Sequence, residues 1–132
     1  MTRILRYSLY CLCVSIALFT ACRKSPGLGG SSTIRGKVKA IHYDVFGNSY
    51  SYYTSKADVF IIYGDDVYFG DDIKTSYDGT YEFRYLRKGR YTIFSYSDCD
   101  TCLDKRRVEI LKTEITKNNS VVILDDLVVV KK

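Results

Sequence analysis

Thr75-Ser-Tyr-Asp-Gly-Thr-Tyr-Glu-Phe-Arg-Tyr-Leu-Arg-Lys-Gly-Arg-Tyr-Thr-Ile93 is the stretch on which the fold turns. Asp78-Gly79 sits between alternating segments, and glycine takes the positive φ that a tight hairpin turn requires, so the pair predicts a hairpin. Tyr81, Phe83 and Tyr85 share one side of the strand that follows, with Glu82 and Arg84 opposite. That period of two is the mark of a half-buried strand. Leu86 to Tyr91 reads as a corner, in which Leu86 plugs the end of the core and Gly89 turns the chain. Tyr91 then stands as a tyrosine corner, its ring buried and its hydroxyl bonded to backbone just upstream.

The same alternation extends in both directions. Upstream, Ile34, Gly36, Val38 and Ala40 lie on one face with Arg35, Lys37 and Lys39 on the other. Phe46-Gly-Asn-Ser49 reads as a turn. Residues 50–54 read as a short strand or an aromatic loop, and 57–63 as a strong strand. Gly64-Asp-Asp66 and Gly70-Asp-Asp72 are breaks around a short strand at 67–69. Downstream, Tyr91, Ile93 and Ser95 alternate with Thr92, Phe94 and Tyr96. Further strands fall at 107–111 and 120–124, and 128–130 adds one or extends the strand before it. No convincing helix is present, and Tyr, Val, Ile and Thr favour strands. The expectation is an all-β chain: a single antiparallel β-sandwich of about seven strands, Ig-like or transthyretin-like, over 33–132.

The quoted stretch resembles carboxypeptidase regulatory-like domains and the related Cna B-type and transthyretin-like sandwiches. The resemblance is carried by Thr75, Asp78, Gly79, Tyr81, Phe83, Leu86, Gly89, Tyr91 and Ile93. Gly36 with Val38, and Ala57 with Val59, stand where those domains have their first two core strands. Val121 and Ile123 stand at the closing strand. The resemblance implies a non-catalytic module for adhesion, spacing or docking. Some relatives form Lys–Asn isopeptide bonds, but the required Lys, Asn and acid cannot be placed on matching positions here, so that chemistry is not carried over.

The amino terminus carries an address. Arg3 and Arg6 precede an apolar run, residues 7–19, of about a dozen residues, the length of a signal-peptide core and short of the ~20 a spanning helix needs. The run ends in Leu18-Phe19-Thr20-Ala21-Cys22, which resembles the lipobox of bacterial lipoproteins. Cys11 and Cys13 follow Tyr10 and Leu12, residues too large for the position before a cut. The expected organisation is therefore a signal peptide over 1–21, lipidated Cys22 opening a Gly/Ser/Pro tether over 22–32, and the sandwich beyond. By that resemblance Cys22 carries a diacylglyceryl group and often a third acyl chain such as palmitate, and two or more chains make retention stable. Arg23, rather than Asp, after the cysteine points to the outer membrane by analogy with known sorting rules. A plain secretory signal and an uncleaved anchor are the competing readings.

The chain has 132 residues and a net charge of +5, which falls to +3 once Arg3 and Arg6 are removed. About 110 residues then remain, enough to bury a core without metals. No dense basic face or nucleic-acid motif appears, which argues against a nucleic-acid partner. Gly27-Leu-Gly-Gly30 lacks the strand before it and the Lys-Ser/Thr pair after it that a nucleotide loop needs, and no cofactor is implied.

Among residues able to do chemistry, Cys99-Asp-Thr-Cys102 is the sharpest motif. A disulfide suits an exported domain. A redox site would need a helix N-terminus and a βαβ setting, and a metal site two further ligands when His42 is the sole histidine. A small redox or metal-handling role through this pair is the alternative functional reading. Asp65, Asp66, Asp71, Asp72 and Asp78 read as solvated turn residues, or as oxygen donors for calcium. With 13 tyrosines, some must face solvent, and Tyr50, Tyr52 and Tyr53 form the candidate binding surface. No catalytic constellation stands out. The sequence thus points to an envelope-anchored binding or spacer module for protein or glycan.

Overall fold

The computed structural model describes residues 24–132. Cys22 and the apolar run before it lie outside the described residues. The described residues form nine strands: β1 (Leu28–Tyr43), β2 (Ser49–Tyr53), β3 (Asp58–Tyr63), β4 (Asp71–Lys74), β5 (Thr80–Leu86), β6 (Gly89–Asp98), β7 (Arg106–Ile115), β8 (Val121–Ile123) and β9 (Leu127–Lys131). They form two sheets, as the alternation demands. The first is built on β1, the second has the order β4-β3-β6-β7 and is antiparallel throughout.

β1 is the spine of the first sheet. Ile34 pairs with both Phe83 of β5 and Val122 of β8, and Ala40 with both Tyr52 of β2 and Val129 of β9. Val38 donates nothing to β9's side at its own N–H: its N–H bonds Gly79 O and its carbonyl accepts from Thr54 N, so β5 and β2 follow one another along one edge. β8 and β9 share the other edge, parallel to β1. These two parallel pairings, and nine strands rather than seven, are where the architecture departs from the expected antiparallel sandwich. After β7 the chain crosses from the second sheet to the first and then runs in the direction of β1.

Inner faces meet in one core: Ile34, Val38 and Ala40 of β1, Val59 and Ile61 of β3, Tyr81 and Phe83 of β5, Tyr91 and Ile93 of β6, with Ile115, Leu127 and Val129 closing it. Each large side chain so buried is worth about 1.5–3 kcal/mol. Tyr81 lies across from Gly36 on β1, where a Cβ would run into its hydroxyl.

Several local expectations are corrected. The Asp78-Gly79 turn exists, with Gly79 at φ 79° and its N–H on Ser76 O, but the strands it joins do not pair: β4 lies in the second sheet and β5 in the first. The buried Thr75 directs that crossing, donating to Thr54 O and accepting from Ala57 N. Tyr85 does not share the face of Tyr81 and Phe83. Its φ of 59° breaks the alternation, turning Tyr85 to solvent and Leu86 into the core. Residues 67–69 form no strand. Val121 and Ile123 do stand on the closing strand β8 but face outward, with Val122 and Leu124 packed against the core and Leu127 and Val129 of β9 buried in it. Of the span read as a tether over 22–32, residues 28–32 instead open β1, and both Gly27 and Ser32 are buried.

Candidate binding surface

The sequence candidates are not brought to one place. Tyr50 and Tyr52 share a face of β2, with ring centroids 5.9 Å apart, and His42 lies 5.0 Å from Tyr50. Tyr53 points to the opposite face, where Lys37 lies 4.7 Å over its ring and its hydroxyl donates to Asp126 at 3.0 Å. That bond to a carboxylate raises the Tyr53 pKa. All three tyrosines are exposed.

Cys99 and Cys102 are joined by a disulfide in the β6–β7 loop, Cα atoms 5.5 Å apart. The loop is held by Cys99 N–H on Lys105 O and Lys105 Nζ on Asp100 O. The described residues contain no helix, so no helix N-terminus lies beside the pair. The aspartates are dispersed. Asp65 pairs with Arg90, Asp71 Oδ1 accepts from Asp72 N, and Asp78 accepts from Thr80 N–H and hydroxyl, which lowers its pKa. Among the described residues no group of three or more His, Cys, Asp or Glu is placed to hold a metal.

The surface that sequence reasoning missed lies on the outer face of the second sheet. In β6, Tyr91, Ile93, Ser95 and Ser97 face the core, which turns Phe94 and Tyr96 outward. Register sets Phe60 beside Phe94 and Ile110 beyond it, and Val108 beside Tyr96. Phe60 and Phe94 stack at 4.9 Å, Tyr96 meets both edge-on at 5.6 and 5.8 Å, and Phe69 from the β3–β4 loop meets Phe60 at 5.0 Å. Phe69 is 50% and Tyr96 39% exposed, while Phe94 keeps 8% because its neighbours cover it. Arg106 lies 5.8 Å over the Tyr96 ring. The patch runs into a cleft of about 220 Å³ lined by Asp58, Phe60, Tyr96, Asp98, Arg106 and Lys131. Rings, two carboxylates and two cations thus converge. The signal was present in the sequence: β6 and β3 are apolar on both faces, which in an antiparallel sheet means either a covering layer or an exposed apolar patch.

No model of a known protein family matches the chain, and no curated protein matches it significantly. Among solved structures, a "putative carbohydrate binding protein" from Pseudomonas aeruginosa is similar at 12% identity with a TM-score of 0.46, over 81% of this chain and 93% of that one.

Proposed function

We propose that this chain is an envelope lipoprotein, held through lipid on Cys22 at the outer membrane, whose sandwich is a non-catalytic module that binds saccharide. One observation carries the ligand class: the stacked Phe60 and Phe94 rings, with Tyr96 edge-on to both, lie on the outer sheet face and lead into a cleft edged by Asp58, Asp98 and Arg106. A pyranose ring presents a flat C–H face to aromatic rings and a rim of hydroxyls to carboxylates and guanidinium. Aromatic side chains offer that contact at small entropic cost, and charge-assisted hydrogen bonds fix the orientation. The cleft, at about 220 Å³, has room for one sugar residue; the rest of a glycan would lie along the ring row.

Affinity electrophoresis through a panel of polysaccharides, followed by calorimetry on those that retain the protein, tests the reading. Tyr96→Ala is expected to weaken binding about tenfold, from lost stacking and burial, with little change in melting, since Tyr96 faces outward. Failure of every polysaccharide to retain the protein, or equal binding by Tyr96→Ala, would overturn it. Capture of a protein partner on this face, with all saccharides unbound, would replace it.

A further inference from the structure

The opposite end of the domain carries a basic cleft of about 600 Å³ beside the first described residues, lined by Lys24, Gly29, Gly30, Ser31, Arg87, Lys88 and Asn118, with no carboxylate among the described residues of its wall. Its floor is a bulge. Leu28 and Ser32 both register with Leu86, so Gly29, Gly30 and Ser31 loop out of the ladder. The Arg87 guanidinium lies over Gly29, where a Cβ would sit 2.8 Å from Nη2. Arg87's backbone is fixed on both sides, its N–H bonding Gly27 O at 2.9 Å and its carbonyl accepting from the Tyr91 hydroxyl at 2.6 Å. Its Nε is buried without an acceptor among the described residues. Among the described residues none of Lys24, Arg87 and Lys88 makes an ion pair. A guanidinium held in place without its counter-charge is a prepared anion site, and its planar fork matches phosphate.

The location of the cleft says where the phosphate comes from. From Pro26 onward the chain is docked: Pro26 fills the space left by Gly89, and Gly27 N–H bonds the Tyr91 hydroxyl at 3.0 Å. Only residues 23–25 separate Pro26 from Cys22, a reach of about 14 Å at most. A tether that short cannot hold the domain away from a bilayer that receives the acyl chains. We infer that this end lies on the membrane and that the cleft binds the phosphate of an anionic lipid headgroup. The position of the bilayer rests on acylation of Cys22; the anion chemistry of the cleft does not.

Every core residue and ladder among the described residues lies between Gly27 and Lys131, so a chain beginning at Lys24 retains all of them and can be tested without the anchor. It is expected to sediment with phosphatidylcholine vesicles containing phosphatidylglycerol and not with phosphatidylcholine alone. Each cation removed costs about fivefold, so Arg87→Ala with Lys88→Ala loses about 25-fold. Lys24→Gln with Lys88→Gln, which spares the half-buried Arg87, gives the same loss should the first pair fail to fold. Equal binding to both vesicles, unchanged binding by both double variants, or displacement by inorganic phosphate at matched ionic strength would overturn the inference. The mass of the mature full-length protein keeps the two readings apart. An unacylated Cys22 with charge-dependent vesicle binding would remove the anchor and leave the cleft; an acylated one without it would do the reverse.

Discussion

Two buried tyrosines show how the same side chain takes opposite roles. The Tyr91 hydroxyl donates to Arg87 O and accepts from Gly27 N–H, so it satisfies two backbone groups at a corner. The Tyr81 hydroxyl is buried with no partner among the described residues. Removing a satisfied hydroxyl strands its partners, whereas removing an orphan relieves a desolvation cost. Tyr91→Phe is therefore expected to destabilise by about 1–3 kcal/mol and Tyr81→Phe to be neutral or stabilising by about 1 kcal/mol. Urea denaturation of the two variants checks the contrast, and equal losses would contradict it. Tyr91 was legible in the sequence because Leu-x-x-Gly-x-Tyr is a local pattern. The orphaned state of Tyr81 was not, since it depends on what β1 places opposite.

Among the elements, β1 carries the most. Its residues pair with four other strands, and its Gly36 makes room for the Tyr81 ring. Gly36→Ala drives a methyl into the Tyr81 hydroxyl and is expected to cost about 1–3 kcal/mol, as overpacking does. Combining it with Tyr81→Phe should recover part of that loss, because the colliding oxygen is gone; a strictly additive double variant in thermal melts would show that the two do not touch. The sequence placed the inner face of β1 correctly through its alternation. It did not show that the strand starts at Leu28, because glycine and serine carry no apolar signal, or that the Asp-Gly turn joins different sheets. A turn's chemistry fixes its own dihedrals, not which partner each flanking strand then finds.

At the scale of the whole molecule, burial of tyrosine hydroxyls sets a response to base. Burial raises the Tyr81 pKa well above its ordinary value, and raises those of Tyr63 and Tyr91 as well. These groups stay protonated in the fold while the unfolded chain ionises near pH 10. Their contribution is therefore fully present below pH 10 and is lost as pH rises beyond it, by about 1.4 kcal/mol per unit for each tyrosine still protonated. Melting temperature should hold level from neutral to about pH 10 and fall steeply above, less so in Tyr81→Phe; a level profile through pH 12 would refute the burial. The all-β class, the corner at Tyr91 and the alternating inner faces were legible in the sequence alone, because each is written in neighbours a few residues apart. The aromatic row of Phe60, Phe94 and Tyr96, the cleft under Arg87, and the docking of Pro26 on Gly89 and of Gly27 on Tyr91 join residues far apart in the chain. Only the packing of two sheets brings such residues within contact, and local preference carries no record of it.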